Sequence, residues 1–115
     1  MAITRIEPGK RLSGAVVHNG LVYLAGQVAD NSKGDISAQT KDVLGKIDNL
    51  LSKAGTDKSK ILSAQIFITD MRNFAAMNQV WDAWVDSSNA PARATIQAGL
   101  ANPELLVEIM AIAAK

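Results

Sequence analysis

The sequence predicts an α+β fold, a two-layer sandwich with both helices on one face of a sheet. Three observations predict it. Asn19-Gly20 separates two short apolar runs, two later segments repeat their apolar residues at helical spacing, and each of those segments is followed by a strand-like run.

Taken in order, "AITRIE" reads as a short extra strand before the hairpin "SGAVVHNGLVYLAGQV". Asn-Gly is the preferred pair for a type I′ turn, because both central residues must adopt positive φ. From Ser37 the period changes: Val43, Ile47, Leu50, Leu51 and Ala54 share a helical stripe, and Gly55 stands where a left-handed C-terminal cap belongs. After "TDKSK", the segment "ILSAQIFITD" alternates Leu62, Ala64, Ile66 and Ile68 with Ser63, Gln65, Phe67 and Thr69, as a strand does. A second helix follows Asp70 or Asn73, with Phe74, Met77, Val80, Trp81, Trp84 and Val85 on one stripe. Strands near 93–98 and 106–113 end the chain. With both helices on one face, the other face lacks a cover, yet it includes Phe67, Ile112 and several alanines. A symmetric oligomer that buries this face is the expected solution.

Composition narrows the function classes. A chain of 115 residues with 48% hydrophobic and 20% charged residues is expected to form one globular domain over 1–115. A formal net charge of +1 supplies no field for phosphate backbones, so nucleic acid is not an expected partner. With no cysteine and a single histidine, His18, thiolate chemistry and Cys- or His-rich metal sites are excluded within one chain. No apolar run is long enough to span a membrane, and "MAITRIEPGK" lacks a signal-peptide core, so a cytoplasmic location is expected.

Most polar residues have ordinary structural readings. His18 flanks a turn, and Trp81 and Trp84 read as packing residues. Arg72, Lys41, Lys46, Lys53, Lys58 and Lys60 read as solvated charge. Gly26-Gln27 reads as a bulge or a close backbone approach, with Gln27 as an orienting polar group. Arg93 and Glu108 differ. Arg93 is the one charge in "NAPARATIQAGL" and shares a strand face with Thr95 and Gln97; Glu108 is the one charge between Glu104 and Lys115. They read either as a structural ion pair or as two functional groups. A guanidinium suits a carboxylate ligand, and a carboxylate can position water or protonate nitrogen.

The segments "APARATIQAGL" and "VEIMAIA" resemble the C-terminal signature of the Rid family of imine and enamine deaminases, the YjgF-type proteins long labelled "endoribonuclease L-PSP". The resemblance extends through "VVHNGLVYLAGQV", "GKIDNLLSKAG" and "ILSAQIFITDMRNFAAMNQVWDAW" over almost the whole chain. It is greatest to the YoaB-type branch. It implies a chorismate-mutase-like protomer, a mixed six-stranded sheet with two helices on one face, and a homotrimer packed around a central barrel with ligand clefts between subunits. It also implies hydrolysis of 2-imino acids to 2-oxo acids and ammonia, with no metal or organic cofactor. On this resemblance Arg93 grips the substrate carboxylate, and Glu108 handles the attacking water or the imine nitrogen.

The chain departs from the family's archetypal deaminases at three places. Arg11-Leu12-Ser13 stands where they have a tyrosine, Ala25 where they have a serine, and Thr95 where they often have a cysteine. Thr95 keeps the backbone amide and adds a hydroxyl, while Arg11 supplies a second cation or a solvated surface charge. Three functions follow: an imine or enamine deaminase, a non-catalytic binder of small 2-oxo acids or other carboxylates, and a ribonuclease or translation inhibitor. The last lacks the charge and the acid–base pair that RNA cleavage needs.

Overall fold

The computed structural model describes residues 2–115. The elements are β1 (Thr4–Pro8), β2 (Ser13–His18), β3 (Leu21–Leu24), β4 (Gln27–Val28), α1 (Ile36–Lys53), β5 (Ile61–Ile68), α2 (Phe74–Trp84), β6 (Ala92–Gln97) and β7 (Val107–Ala114). Short 3-10 turns at Lys58–Lys60 and Met71–Asn73 precede β5 and α2. The sheet order is β1-β2-β3-β7-β5-β6, with β4 pairing to β7. Only β5 and β6 run parallel, because α2 carries the chain back between them; the other pairs are antiparallel. The sheet is therefore mixed, and both helices cover one face.

Local chemistry accounts for the element ends. Asn19 and Gly20 adopt φ values of 52° and 75°, so the β2–β3 turn has the predicted handedness. Asp35 caps α1 by accepting a hydrogen bond from the Ala38 amide at 2.9 Å. At the other end Gly55 adopts φ 84°, and the Thr56 and Gly55 amides donate to the Leu51 and Ser52 carbonyls. Asp70 caps the turn before α2 through the Arg72 amide.

Three details differ from the sequence expectation. The sheet has seven strands rather than six, because Gln27–Val28 forms a two-residue strand against Ile109 and Glu108; two residues are too few to produce a readable alternation. A bulge between Ile61 and Ser63 turns Leu62 outward to 50% exposure and lets both Ile61 and Ala64 enter the core. Phe74, at the start of the α2 stripe, is exposed, whereas Met77 and Trp81 are buried.

The nearly continuous apolar run of β7 has two faces. Val107, Ile109, Ala111 and Ala113 are buried under the helices; Glu108, Met110, Ile112 and Ala114 are half-buried on the uncovered face. Directly paired residues in a sheet share a face. Ile112 pairs with Tyr23 and Ser63, Met110 with Gln65, and Glu108 with Phe67, so the open face carries a contiguous set of large side chains. Tyr23 and Ile96 on it are 41% and 46% exposed.

One buried polar residue organises two loops. Gln39, on the inner face of α1, shares its two Nε2–H donors among the carbonyls of Ser32, Gly34 and Glu104 and accepts from the Leu106 amide. It ties the segment before α1 to the segment that leads into β7.

Candidate functional site

The sequence-predicted site residues fall into two groups. The first lies on β6. Arg93 pairs with the buried Ala64 and so points to the helix side of the sheet, where its guanidinium carbon sits 5.2 Å from the Trp81 ring centroid and 6.0 Å from that of Phe74. These distances allow cation–π attraction to both rings. Among the described residues its charge has no carboxylate partner. Thr95 pairs with Ile66 and shares the Arg93 face; its Oγ1 is buried without a hydrogen-bond partner.

The second group gathers around Glu108. This residue pairs with Phe67 on one side and Val28 on the other. Its side chain lies against Gly26, so that a Cβ on Gly26 would fall 2.9 Å from the carboxylate carbon. The close approach read from Gly26-Gln27 is thus present. Ala25 is half-buried beside it: its amide donates to the Gly14 carbonyl, and its own carbonyl accepts from Gln27 Nε2 at 2.9 Å. Gly14 follows the β1–β2 loop, which the Gly9 amide closes by donating to the Leu12 carbonyl. Arg11 and the 62%-exposed Leu12 sit on that loop and line an open depression of about 590 Å³ with Glu7, Gly9 and Lys10. Leu12, Ala25, Gly26 and Glu108 therefore lie at one end of the sheet.

The two groups do not converge within one chain. Arg93 is level with Ala111 across β5, three residues from Glu108 and two strands away. Strand spacing and rise then put their Cα atoms about 14 Å apart. Their side chains also leave opposite faces. The structural ion pair is absent for that reason: the sheet itself stands between the two groups. Another groove, of about 510 Å³, lies between α1 and α2 and is lined by Lys41, Leu44, Lys58, Val80 and Trp84 among others. It contains none of the predicted residues.

The remaining charges have local partners. Lys46 binds Asp30 and the Val28 carbonyl, Lys53 binds Glu7, and Lys58 donates to the Trp84 carbonyl while lying over its ring. Trp84 Nε1 donates to Asp48. Arg72 forks onto Asp70, which holds the Asp70 carboxyl below its ordinary value. Among the described residues no cluster of His, Cys, Asp and Glu has a geometry that could hold a metal ion, and no helix is long and apolar enough to cross a membrane.

The architecture and the residue pattern have close relatives. The family model described as Endoribonuclease L-PSP matches residues 2–115. The chain belongs to this YjgF/Rid family. It is 52% identical over 114 residues to a RutC family protein of Haemophilus influenzae, covering 98% of each chain. It is 48% identical to the RutC family protein YoaB of Escherichia coli, covering 99% of each. Among solved structures, a YjgF-family protein of Neisseria meningitidis superposes with a TM-score of 0.97 at 45% identity, covering 100% of this chain and 96% of that one. The Rid-family protein YyfA of Yersinia pestis gives 0.92 at 33% identity, covering 99% and 100%. The α+β architecture with its open mixed sheet is that of the YjgF structures.

Sequence reasoning missed two residues in this Rid chain. Gln39 was hidden because a glutamine on a helix reads as solvated. Asn78 carries a buried Oδ1 with no hydrogen-bond partner. It had one legible signal: it is a polar residue between the buried Met77 and Trp81 of α2.

Proposed function

We propose that this Rid-family chain hydrolyses 2-imino acids and their enamine tautomers to 2-oxo acids and ammonia, in clefts between the subunits of a homotrimer. The observation that carries this reading is Arg93: a half-buried guanidinium that has no carboxylate partner among the described residues and is held on an aromatic shelf. Such a cation is a ready receptor for a carboxylate.

In this reading Arg93 anchors the substrate carboxylate with help from the Thr95 amide. Water adds to the C=N carbon, and the nitrogen takes up a proton to form a carbinolamine. Loss of ammonia, with return of the hydroxyl proton to solvent, leaves the 2-oxo acid. Glu108 positions the water and relays a proton. Because Arg93 and Glu108 leave opposite faces, the catalytic pair is formed between neighbouring copies, Arg93 from one and Glu108 from the next. Leu12, Arg11 and Ala25 belong to the Glu108 side of the cleft. The uncovered face bearing Tyr23, Phe67, Met110 and Ile112 supports the trimer, since its burial removes a large apolar patch from water. The chemistry is undemanding: imines hydrolyse spontaneously, so orientation and one water-positioning group are sufficient.

The test generates 2-imino acids with an amino acid oxidase or a threonine dehydratase and follows their loss by semicarbazide trapping. Wild type is expected to accelerate imine loss, and Arg93→Ala to fall to background at unchanged oligomer mass. Equal rates for the two proteins would overturn the reading. Thermal stabilisation by 2-oxobutyrate without turnover would replace the enzyme by a carboxylate-binding protein.

A further inference from the structure

Among the described residues two side-chain oxygens are buried without hydrogen-bond partners, Asn78 Oδ1 on α2 and Thr95 Oγ1 on β6, each belonging to a half-buried residue. Buried polar atoms are normally paired, because each unpaired one carries its full desolvation cost. Thr95 shares the Arg93 face of β6, and Arg93 carries a fork of guanidinium donors that forms no ion pair among the described residues.

The placement of Asn78 follows from the helix. Phe74, Asn78 and Trp81 stand at i, i+4 and i+7, one stripe of α2. The Arg93 guanidinium contacts the rings at both ends of that stripe, so it lies alongside Asn78 in the middle. The sheet gives the same answer. The Met71 amide donates to Gln97 Oε1 at 2.8 Å, pinning the start of the helical segment to the end of β6. From that anchor Asn78 lies about 11 Å along the helix. Thr95 and Arg93 lie about 7 and 13 Å along the strand. The carboxamide thus falls between the hydroxyl and the guanidinium.

We propose that Asn78 is a positioning residue for Arg93 in the ligand-bound state. Its Oδ1 accepts one guanidinium N–H, turning the fork so that two other N–H groups face the ligand carboxylate, while the Thr95 hydroxyl donates to the same carboxylate. The aromatic shelf of Phe74 and Trp81 fixes the plane of the guanidinium but not its rotation within that plane, since stacking is not directional in that sense. A hydrogen-bond acceptor is what sets the rotation. This deepens the deaminase reading and rests on it for the identity of the ligand.

The experiment measures 2-oxobutyrate binding by calorimetry, imine turnover by semicarbazide trapping, and oligomer mass for wild type, Asn78→Ala, Asn78→Asp and Thr95→Val. Asn78→Ala is expected to weaken 2-oxobutyrate binding and raise KM by about 10-fold or more, the range of a hydrogen bond to a charged group, with kcat changed less than about twofold. Asn78→Asp has the same shape but places a carboxylate against Arg93. It is expected to bind 2-oxobutyrate more weakly than Asn78→Ala, because the new charge occupies the guanidinium and repels the ligand. A purely structural asparagine would show the reverse order. Thr95→Val is expected to weaken binding without loss of stability, since it removes an unpaired buried hydroxyl. Should Asn78→Ala fail to assemble, Asn78→Leu keeps the side-chain volume without an acceptor and serves the same comparison. Unchanged binding in a folded Asn78→Ala, or wild-type binding in Asn78→Asp, overturns the proposal. Wild type that binds 2-oxobutyrate without turnover overturns the deaminase reading alone, because binding still ranks the Asn78 variants. Wild type that does not bind overturns both.

Discussion

Glu108 lies against the backbone of Gly26, close enough that any β-carbon at position 26 would overlap its carboxylate. The overlap involves the end of a flexible side chain rather than backbone, so an alanine there displaces the carboxylate and leaves the sheet intact. Gly26 adopts no positive φ, so a methyl brings no backbone strain. On the proposed deaminase reading Gly26→Ala is therefore expected to lower imine turnover as strongly as Glu108→Gln while shifting Tm by no more than a few degrees. Turnover rates and thermal melts on the same preparations check it; full activity in Gly26→Ala would show that the position of Glu108 is irrelevant.

Gln39 predicts a stability effect remote from the chemistry. Gln39→Leu keeps the volume approximately but strips partners from three carbonyls and one amide. Leaving such groups unpaired is expected to cost about 2–4 kcal/mol. For a domain of this size the corresponding fall in Tm is on the order of 10 °C. Chemical denaturation with an unchanged m-value is the measurement.

The open sheet face predicts an assembly effect. Ile112 lies on that face, paired with Tyr23 and Ser63, and is only half-buried in the single chain. On the proposed trimeric deaminase reading, in which the cleft is built from two copies, Ile112→Asp is expected to leave a folded protomer of 12.2 kDa and to abolish turnover. Light scattering and circular dichroism check the mass and the fold; a trimeric Ile112→Asp would show that this face is not the interface.

Asp70 predicts a pH dependence. Hydrogen bonds from Arg72, first through its side chain and then through its amide, hold the Asp70 carboxyl below its ordinary 3.8. A folded-state value below the unfolded one means that the stabilisation is present above about pH 4 and is lost as pH falls through the lowered value. Asp70→Ala is expected to melt earlier than wild type at pH 7, with the gap narrowing below pH 4. Melts across that window decide it. A gap that persists unchanged in acid would mean that the carboxylate charge contributes nothing.

How much of this was legible depended on whether a residue's role is local. Asn19-Gly20, Gly55 and the α1 stripe act through backbone conformation and period, which neighbouring residues determine, and the structure has them where the pattern puts them. The two-residue β4 and the bulge at Leu62 were illegible, because each exists only against its partner β7. The faces of β6 and β7 were readable as alternations, one strand at a time. Which face of β6 matched which face of β7 was not.

That match is what only the tertiary structure decided. Sequence alone established the α+β class, the uncovered apolar face, and Arg93 and Glu108 as the two charges without an obvious solvated role. It left them as potential partners, since alternation along one strand carries no information about the register of another. Pairing both strands to β5 resolves it: Arg93 emerges on the helix side over Phe74 and Trp81, Glu108 on the open side against Gly26. A sheet cannot pass a side chain through itself, so the two charges cannot meet within one chain.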